Sequence, residues 1–150
     1  MVLAKMCGIR SAEDAEVAAA AGADTLGFHV DLTGGRSPLS RDEALRLITG
    51  LPEGVGSVVV TSIAEADALI ALAQATGAAT LQLYGDASPE AIEKTKAALP
   101  AIEIWKVINV ADESAIDRAK QYDGVADAIA LDRAQSSTVK GGSGQNIDWN

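Results

Sequence analysis

Two residues that could transfer protons stand at the ends of short apolar runs. Cys7 follows the run 2–6, and Asp132 follows the run 128–131. A thiolate close to a helix N-terminus can act as a base or nucleophile, and a carboxyl group in apolar surroundings can act as an acid. A lone cysteine is more often a small buried hydrophobe, and an acid after a strand often caps or solvates the strand end. Residue type alone therefore leaves both interpretations open for each residue.

A second group of residues could hold an anionic ligand. Arg36 lies in the loop 33–38, whose two glycines would let it bend over a ligand, and a guanidinium can clamp a carboxylate. A solvated loop cation is the alternative. The segment 141–144 is rich in glycine but matches neither a dinucleotide fingerprint nor a Walker A loop, which favours a lid or a linker. His29 is expected to be packed, and one histidine with one cysteine does not predict a zinc site.

Alternating strands and helices must position these residues. Strands are predicted at 2–6, 25–30, 56–61, 80–84, 103–110 and 126–131. The helices between them are predicted to begin at capping signals at Ser11, Ser40, Ser62, Ser88 and Asp112. Several strands are continuous β-branched runs, which suit a parallel sheet covered on both faces. The alternation indicates the α/β class with right-handed crossovers.

Two α/β layouts compete at this point. A doubly wound sheet of five or six strands fits 150 residues, whereas a (βα)8 barrel usually needs about 250 residues. Length alone favours the doubly wound sheet. Polar residues at the ends of several different strands favour a ring of strand ends around one pocket, as in a barrel. Those residues are Cys7, Asp31, Gln82, Tyr84, Asp86, Asn109 and Asp132.

Composition excludes several classes of partner. The sequence has 12 Lys and Arg residues against 21 Asp and Glu, a formal charge of −9, with no basic run, so neither nucleic acid nor an anionic membrane surface is expected as a partner. One cysteine cannot form an internal disulfide, which suits a reducing compartment. The first residues do not form a signal-peptide core, and no apolar run approaches the length of a membrane span. We therefore expect a cytoplasmic protein.

Several segments, taken in order, resemble phosphoribosylanthranilate isomerase. Lys5-Met-Cys7-Gly-Ile9 resembles the family opening Lys-Ile-Cys-Gly-Ile, and 22–28 matches its Gly-Ala-Asp-x-x-Gly-Phe. Arg36 falls where the family has the Arg of a Ser-Pro-Arg loop, and 82–86 matches Gln-Leu-His-Gly-Asp except for Tyr84. Leu131-Asp132 matches the strand-6 aspartate, and Gly-Gly-Ser-Gly with a following Ile-Asp-Trp matches Gly-Gly-Thr-Gly and Phe-Asp-Trp.

The resemblance implies a (βα)8 TIM barrel and an Amadori rearrangement in tryptophan biosynthesis. The isomerase would act on a small phosphosugar-anthranilate substrate, without a metal or an organic cofactor. Asp132 would be the general acid that opens the furanose ring, and Cys7 the general base that removes the C2 proton. Arg36 would clamp the anthranilate carboxylate. Further substrate contacts are expected from Gln82, Gly142, Ser143 and Gly144.

The family continues for two more βα units that hold the substrate phosphate, so we expect residues 1–150 to be a single domain that supplies about six of the eight units. Open edges at strands 1 and 6 would then favour self-association. A non-catalytic barrel fragment acting as a binding or interaction module is the alternative function. Another phosphosugar barrel, such as an epimerase or an indole-glycerol-phosphate synthase relative, is a third hypothesis, which the Cys-Gly-Ile opening disfavours.

Overall fold

One parallel sheet organises the chain. The computed structural model describes residues 2–34 and 38–133, and in these ranges six strands pair in the order β1-β2-β3-β4-β5-β6, with every neighbouring pair parallel. The strands are β1 Lys5–Cys7, β2 Thr25–His29, β3 Gly56–Thr61, β4 Thr80–Leu83, β5 Glu103–Val110 and β6 Ala128–Arg133. The strand order thus follows the chain order without a reversal.

This order decides between the two layouts. A doubly wound sheet reverses direction at a switch point and carries helices on both faces. Right-handed crossovers between strands that follow one another in order place every helix on the same face. Here the helices α1 to α5 follow β1 to β5 in turn, as in a barrel. Their bounds are Ala12–Ala20, Arg41–Thr49, Ala66–Thr76, Pro89–Ala98 and Ser114–Lys120.

Local capping explains where three helices begin. The Ser11 hydroxyl accepts from the Asp14 N–H, and Ser40 and Glu43 form a reciprocal capping box. Ser88 caps α4, which starts at Pro89, a residue whose fixed φ suits the first helical position.

Two apolar layers lie on opposite faces of the sheet. The larger layer joins the strands to the helices and contains Leu26, Phe28, Val59, Leu81, Ile104, Leu69 and Ile92. The smaller layer lies on the other face, where Leu32, Val58 and Val60 pack with Tyr84 and Trp105. Successive side chains of a strand alternate between the two faces of the sheet. Polar strand residues that do not face the helices therefore lie on the same face as this smaller layer.

The structure corrects several local predictions, among them the cap at Asp112, since Glu113 is the N-cap residue of α5. Ser62 does not cap α3: Glu65 is the N-cap residue, and the Ser62 hydroxyl accepts from the backbone N–H of Thr33. The first strand starts at Lys5 and the last runs from Ala128 to Arg133, so Asp132 lies within β6 rather than after it. These two strands each have one neighbour in the described sheet, and edge pairing sets their ends less tightly than central pairing does. No helix among the described residues is both long and apolar enough to cross a membrane.

Candidate active site

The polar strand-end residues lie on the face of the sheet opposite the helices, called here the inner face. Strand register places Cys7 beside Gly27, and the alternation of β2 then puts His29 on the same face. Register also places Gln82 and Trp105 on the same face as Val60, and Asp132 on the same face as Asn109. The inner face therefore holds Cys7, His29, Gln82, Tyr84, Asn109 and Asp132.

Cys7 ends β1 and lies beside β2. Its Sγ is 3.4 Å from Nε2 of His29, which is within hydrogen-bond reach of sulfur. Gly27 faces the thiol from β2: a Cβ on that residue would lie 2.7 Å from Sγ and 3.0 Å from Nζ of Lys5. Cys7 and Lys5 therefore occupy the space that a side chain at residue 27 would need.

The surroundings of Cys7 favour its ionised form. Although the residue is exposed, the protein atoms around the thiol remove part of its hydration and raise its pKa. The hydrogen bond with His29 and the charge and hydrogen bond of Lys5 outweigh that effect, and the pKa of Cys7 falls to about 7. A sizeable fraction of the thiol is then thiolate at neutral pH, which suits a general base.

Tyr84 and Asp132 form the second polar contact of the inner face. The Tyr84 hydroxyl donates to Oδ2 of Asp132 over 3.2 Å. Burial raises the pKa of Tyr84 well above its usual value, and the charge and hydrogen bond of Asp132 and the charge of Cys7 raise it further. Tyr84 therefore stays a neutral donor at all ordinary pH values and lies within the electrostatic reach of both Cys7 and Asp132.

The segment after β2 covers part of the inner face. Asp31 has a φ of 49° and pairs with Arg41 at 2.8 Å, which fixes the turn where the chain leaves the strand. Leu32 follows it and packs on Val58 and Val60. Leu32, Val58 and Val60 are themselves buried, so the partly exposed rings of Tyr84 and Trp105 supply the apolar surface here, and such rings can stack on an aromatic ligand.

The predicted site residues divide into three groups. Cys7 and Asp132 lie on the inner face with hydrogen-bond partners, and Gln82 is buried there in register with Val60 and Trp105. Asp31, Asp86 and Asn109 are exposed, and Asp31 forms an ion pair with Arg41. Four predicted residues lie outside the described ranges: Arg36, Gly142, Ser143 and Gly144. The roles of all predicted site residues stay predictions.

Two contacts were not anticipated from the sequence. The first is the contact of His29 with Cys7, since His29 was expected to be packed. The second is the hydroxyl of Tyr84 on Asp132. A signal for His29 existed, because its position two residues after Gly27 puts it on the face of Cys7 once the β1–β2 register is known. Within the described residues, no group of three or more His, Cys, Asp or Glu side chains is placed to hold a metal ion.

Comparison with known proteins gives matches over nearly the whole chain. The family model described as N-(5'phosphoribosyl)anthranilate (PRA) isomerase matches residues 4–150. An N-(5'-phosphoribosyl)anthranilate isomerase of Methanothrix thermoacetophila is 39% identical over 149 residues, covering 99% of this chain and 69% of the relative. The crystal structure of phosphoribosyl anthranilate isomerase from Thermotoga maritima has a TM-score of 0.82 at 31% identity, covering 99% of this chain and 69% of that one.

A third match is a phosphoribosyl anthranilate isomerase crystallised in complex with reduced 1-(O-carboxyphenylamino)-1-deoxyribulose 5-phosphate. Its TM-score is 0.76 at 29% identity, covering 89% of this chain and 66% of that one. The chain thus spans about two thirds of the length of the relatives that it matches. These neighbours confirm the predicted barrel class, of which the six described strands form a curled part. Since the match runs from β1 through β6, this chain belongs to the N-(5'phosphoribosyl)anthranilate isomerase family.

Proposed function

We propose that this chain catalyses the Amadori rearrangement of N-(5-phosphoribosyl)anthranilate to the corresponding 1-deoxyribulose 5-phosphate, a step of tryptophan biosynthesis. One observation carries the proposal: a chain matched by the PRA isomerase model over residues 4–150 holds Cys7 and Asp132 on one face of its sheet. The ligand named for the third neighbour, a reduced carboxyphenylamino-deoxyribulose phosphate, has the skeleton of the product and supports this substrate class.

The reaction needs one acid and one base. Asp132 donates a proton to the ring oxygen while the C1–O bond breaks, which opens the furanose and leaves an iminium between C1 and the anthranilate nitrogen. The Cys7 thiolate then takes the proton from C2, and the electron pair of that C–H bond forms the C1=C2 double bond of an enolamine. Protonation at C1 and loss of the C2 hydroxyl proton give the ketose. Positioned acids and bases typically contribute about 10²- to 10⁴-fold each to such a rate.

The inner face suits each group to its step. A thiol with a pKa of about 7 is largely deprotonated just above neutral pH, so it is ready to accept the C2 proton. The Tyr84 hydroxyl holds one oxygen of Asp132 and so fixes the rotation of the carboxyl group. The partly exposed rings of Tyr84 and Trp105 lie on the same face and suit the anthranilate ring. We assign the carboxylate of that ring to Arg36 and further contacts to Gln82, Gly142, Ser143 and Gly144.

Steady-state kinetics on N-(5-phosphoribosyl)anthranilate test the assignment. Cys7→Ser and Asp132→Asn should each lower kcat/KM at least about 100-fold, because each removes a positioned proton-transfer group. Asp123→Asn is the matched control, since it makes the same change at an exposed turn residue and should leave kcat/KM unchanged. Turnover within threefold of the unaltered chain in either active-site variant would contradict the proposed roles.

Two expectations remain part of the proposal. A cytoplasmic location is supported by a sequence with one cysteine and is tested by cell fractionation. Self-association is supported by exposed apolar side chains on the two outer strands of the described sheet, Met6 on β1 and Ile129 and Leu131 on β6. A monomeric mass by sedimentation across micromolar concentrations would contradict it.

A further inference from the structure

His29 contacts Cys7, and nothing in the reaction scheme above uses it. It ends β2, on the inner face, two residues beyond the glycine that leaves room for the thiol. Its Nε2 lies 3.4 Å from Sγ. We infer that His29 is a positioning residue for Cys7: it holds the sulfur by a hydrogen bond through Nε2 and so sets the fraction of chains that carry the thiolate. This inference rests on the proposed function for its catalytic meaning.

The backbone around His29 fixes where its ring can lie. The carbonyl of His29 accepts from the N–H of Leu39 at 2.8 Å, and the next residue, Val30, donates to the carbonyl of Val60 at 3.0 Å. Gly8 faces the ring, with Cε1 at 4.0 Å from the position of a Cβ on that glycine. The ring therefore sits at a strand end held from both sides, and the geometry of its contact with Sγ is set by the sheet.

Charge and direction separate the contributions of the neighbouring groups. Lys5 approaches the thiol from β1 and stabilises a thiolate mainly through its positive charge. Tyr84, which follows β4, lies within electrostatic reach of Cys7 as a neutral group, and its hydroxyl donates to Asp132 on β6. Both His29 and Lys5 hydrogen-bond the sulfur, and the bond with His29 is the larger of the two hydrogen-bond contributions. Its removal should therefore change the titration of Cys7 even though Lys5 remains.

A purely packed histidine would behave differently. Replacing such a histidine would alter the stability of the fold but leave the pKa of Cys7 at the value that Lys5 and hydration set. A histidine that holds the thiolate shifts that ionisation, and the shift shows in the rate at which the thiol reacts. The sequence contains a single cysteine, so an alkylating reagent reports on Cys7 alone.

The rate of alkylation by iodoacetamide between pH 5 and pH 9.5 is the test, on the unaltered chain and on His29→Leu, His29→Gln and Lys5→Met. In His29→Leu the midpoint should rise toward the ordinary thiol value of about 8.5, and the rate at pH 7 should fall by up to about 15-fold. His29→Gln keeps an N–H donor and should recover part of that loss. At pH 9.5 all variants should react alike, because the thiol is then ionised in each. An unchanged midpoint in His29→Leu would overturn the inference.

A second measurement does not depend on how well a His29 variant folds. The sequence has one histidine, so its Hε1 proton gives one assignable NMR signal. In the unaltered chain the pH dependence of this signal should include an inflection at the pKa of Cys7, and in Cys7→Ser that inflection should disappear. Identical titration curves in the two proteins would refute the contact.

These readouts separate the inference from the reaction assignment. If Cys7→Ser retained full turnover while His29→Leu still shifted the alkylation midpoint, the proposed function would fail and the His29 contact would stand. If Cys7→Ser lost turnover and His29→Leu left the midpoint unchanged, only the inference on His29 would fail. With both correct, His29→Leu should lower kcat most at pH 6 to 7 and least above pH 9.

Discussion

Gly27 is the residue at which a single added methyl group should disturb the chemistry more than the fold. It pairs with Cys7 in the β1–β2 register, and a Cβ there would lie 2.7 Å from Sγ and 3.2 Å from the Cα of Cys7. Ordinary carbon contacts are about 3.5–4.0 Å. The Sγ atom must therefore move by about 1 Å, and the two strands must give by a few tenths of an ångström.

The size of the effect follows from that displacement. A misplacement of about 1 Å in a reacting group can lower a rate about 100-fold. Crowding of this kind usually costs about 1–3 kcal/mol of stability. Gly27→Ala should therefore lower kcat/KM about 100-fold while the chain still unfolds cooperatively at a modestly reduced temperature. The alkylation rate of Cys7 should also change, because the thiol leaves its position beside His29 and Lys5.

Gly56→Ala is the matched control. Gly56 is also a strand glycine, and a Cβ there would lie 2.9 Å from Cγ2 of Thr25 but has no contact with Cys7. The control should lose stability by a similar amount and keep its kcat/KM. The assay is the initial rate of ketose formation, with thermal unfolding followed in parallel. If Gly27→Ala stayed within threefold of the unaltered chain, or if Gly56→Ala lost as much activity, the packing argument would be refuted.

Two further predictions concern Tyr84, which follows β4, and Asp127 in the turn before β6. Tyr84→Phe removes the hydroxyl that orients Asp132 and should lower kcat about tenfold with little change in KM. Tyr84→His inserts the residue of the family motif and should retain most activity. Equal kcat in Tyr84→Phe and the unaltered chain would contradict the orienting role. Partial burial raises the pKa of Asp127, but the hydrogen bonds that it accepts from Lys96 and from the N–H of Ile104 outweigh burial, and the pKa lies below its usual value. Ionised Asp127 therefore stabilises the folded chain above about pH 4, and this contribution is lost as the pH falls through the lowered pKa. In urea unfolding between pH 5 and pH 2, Asp127→Asn should therefore lose less stability than the unaltered chain, and equal losses would contradict this assignment.

The sequence predicted the layout of the sheet because the core strands carry strong local signals. The central strand Gly56–Thr61 and the long strand Glu103–Val110 have the predicted bounds, since each is rich in β-branched residues and is flanked along the chain by helices. The prediction at Ser62 was wrong for a tertiary reason. A Ser-x-x-Glu pattern has the spacing of a capping box, but the hydroxyl instead meets the Thr33 N–H, which the fold brings from 29 residues away.

The candidate site was predictable by residue type and less so by contact. Cys7 and Asp132 could be placed at strand ends because polar residues after apolar runs mark those ends. The contact of His29 with the thiol depends on the pairing of Cys7 with Gly27, and register is a property of two strands that neither strand encodes alone. The bond from Tyr84 to Asp132 spans three strands and depends on the curl of the sheet, which local patterns do not specify.

The sequential strand order gives the two halves of the site different resistance to partial unfolding. The Cys7–His29 contact joins residues 22 apart and needs only the pairing of β1 with β2. The Tyr84–Asp132 contact joins residues 48 apart and depends on β6, in which every residue is at least partly exposed. Fraying that starts at β6 releases the acid while the base keeps its activating neighbours. Under mild denaturation, catalysis should therefore cease before the thiol loses its enhanced reactivity, and the cysteine would be left open to oxidation in a chain that no longer turns over substrate.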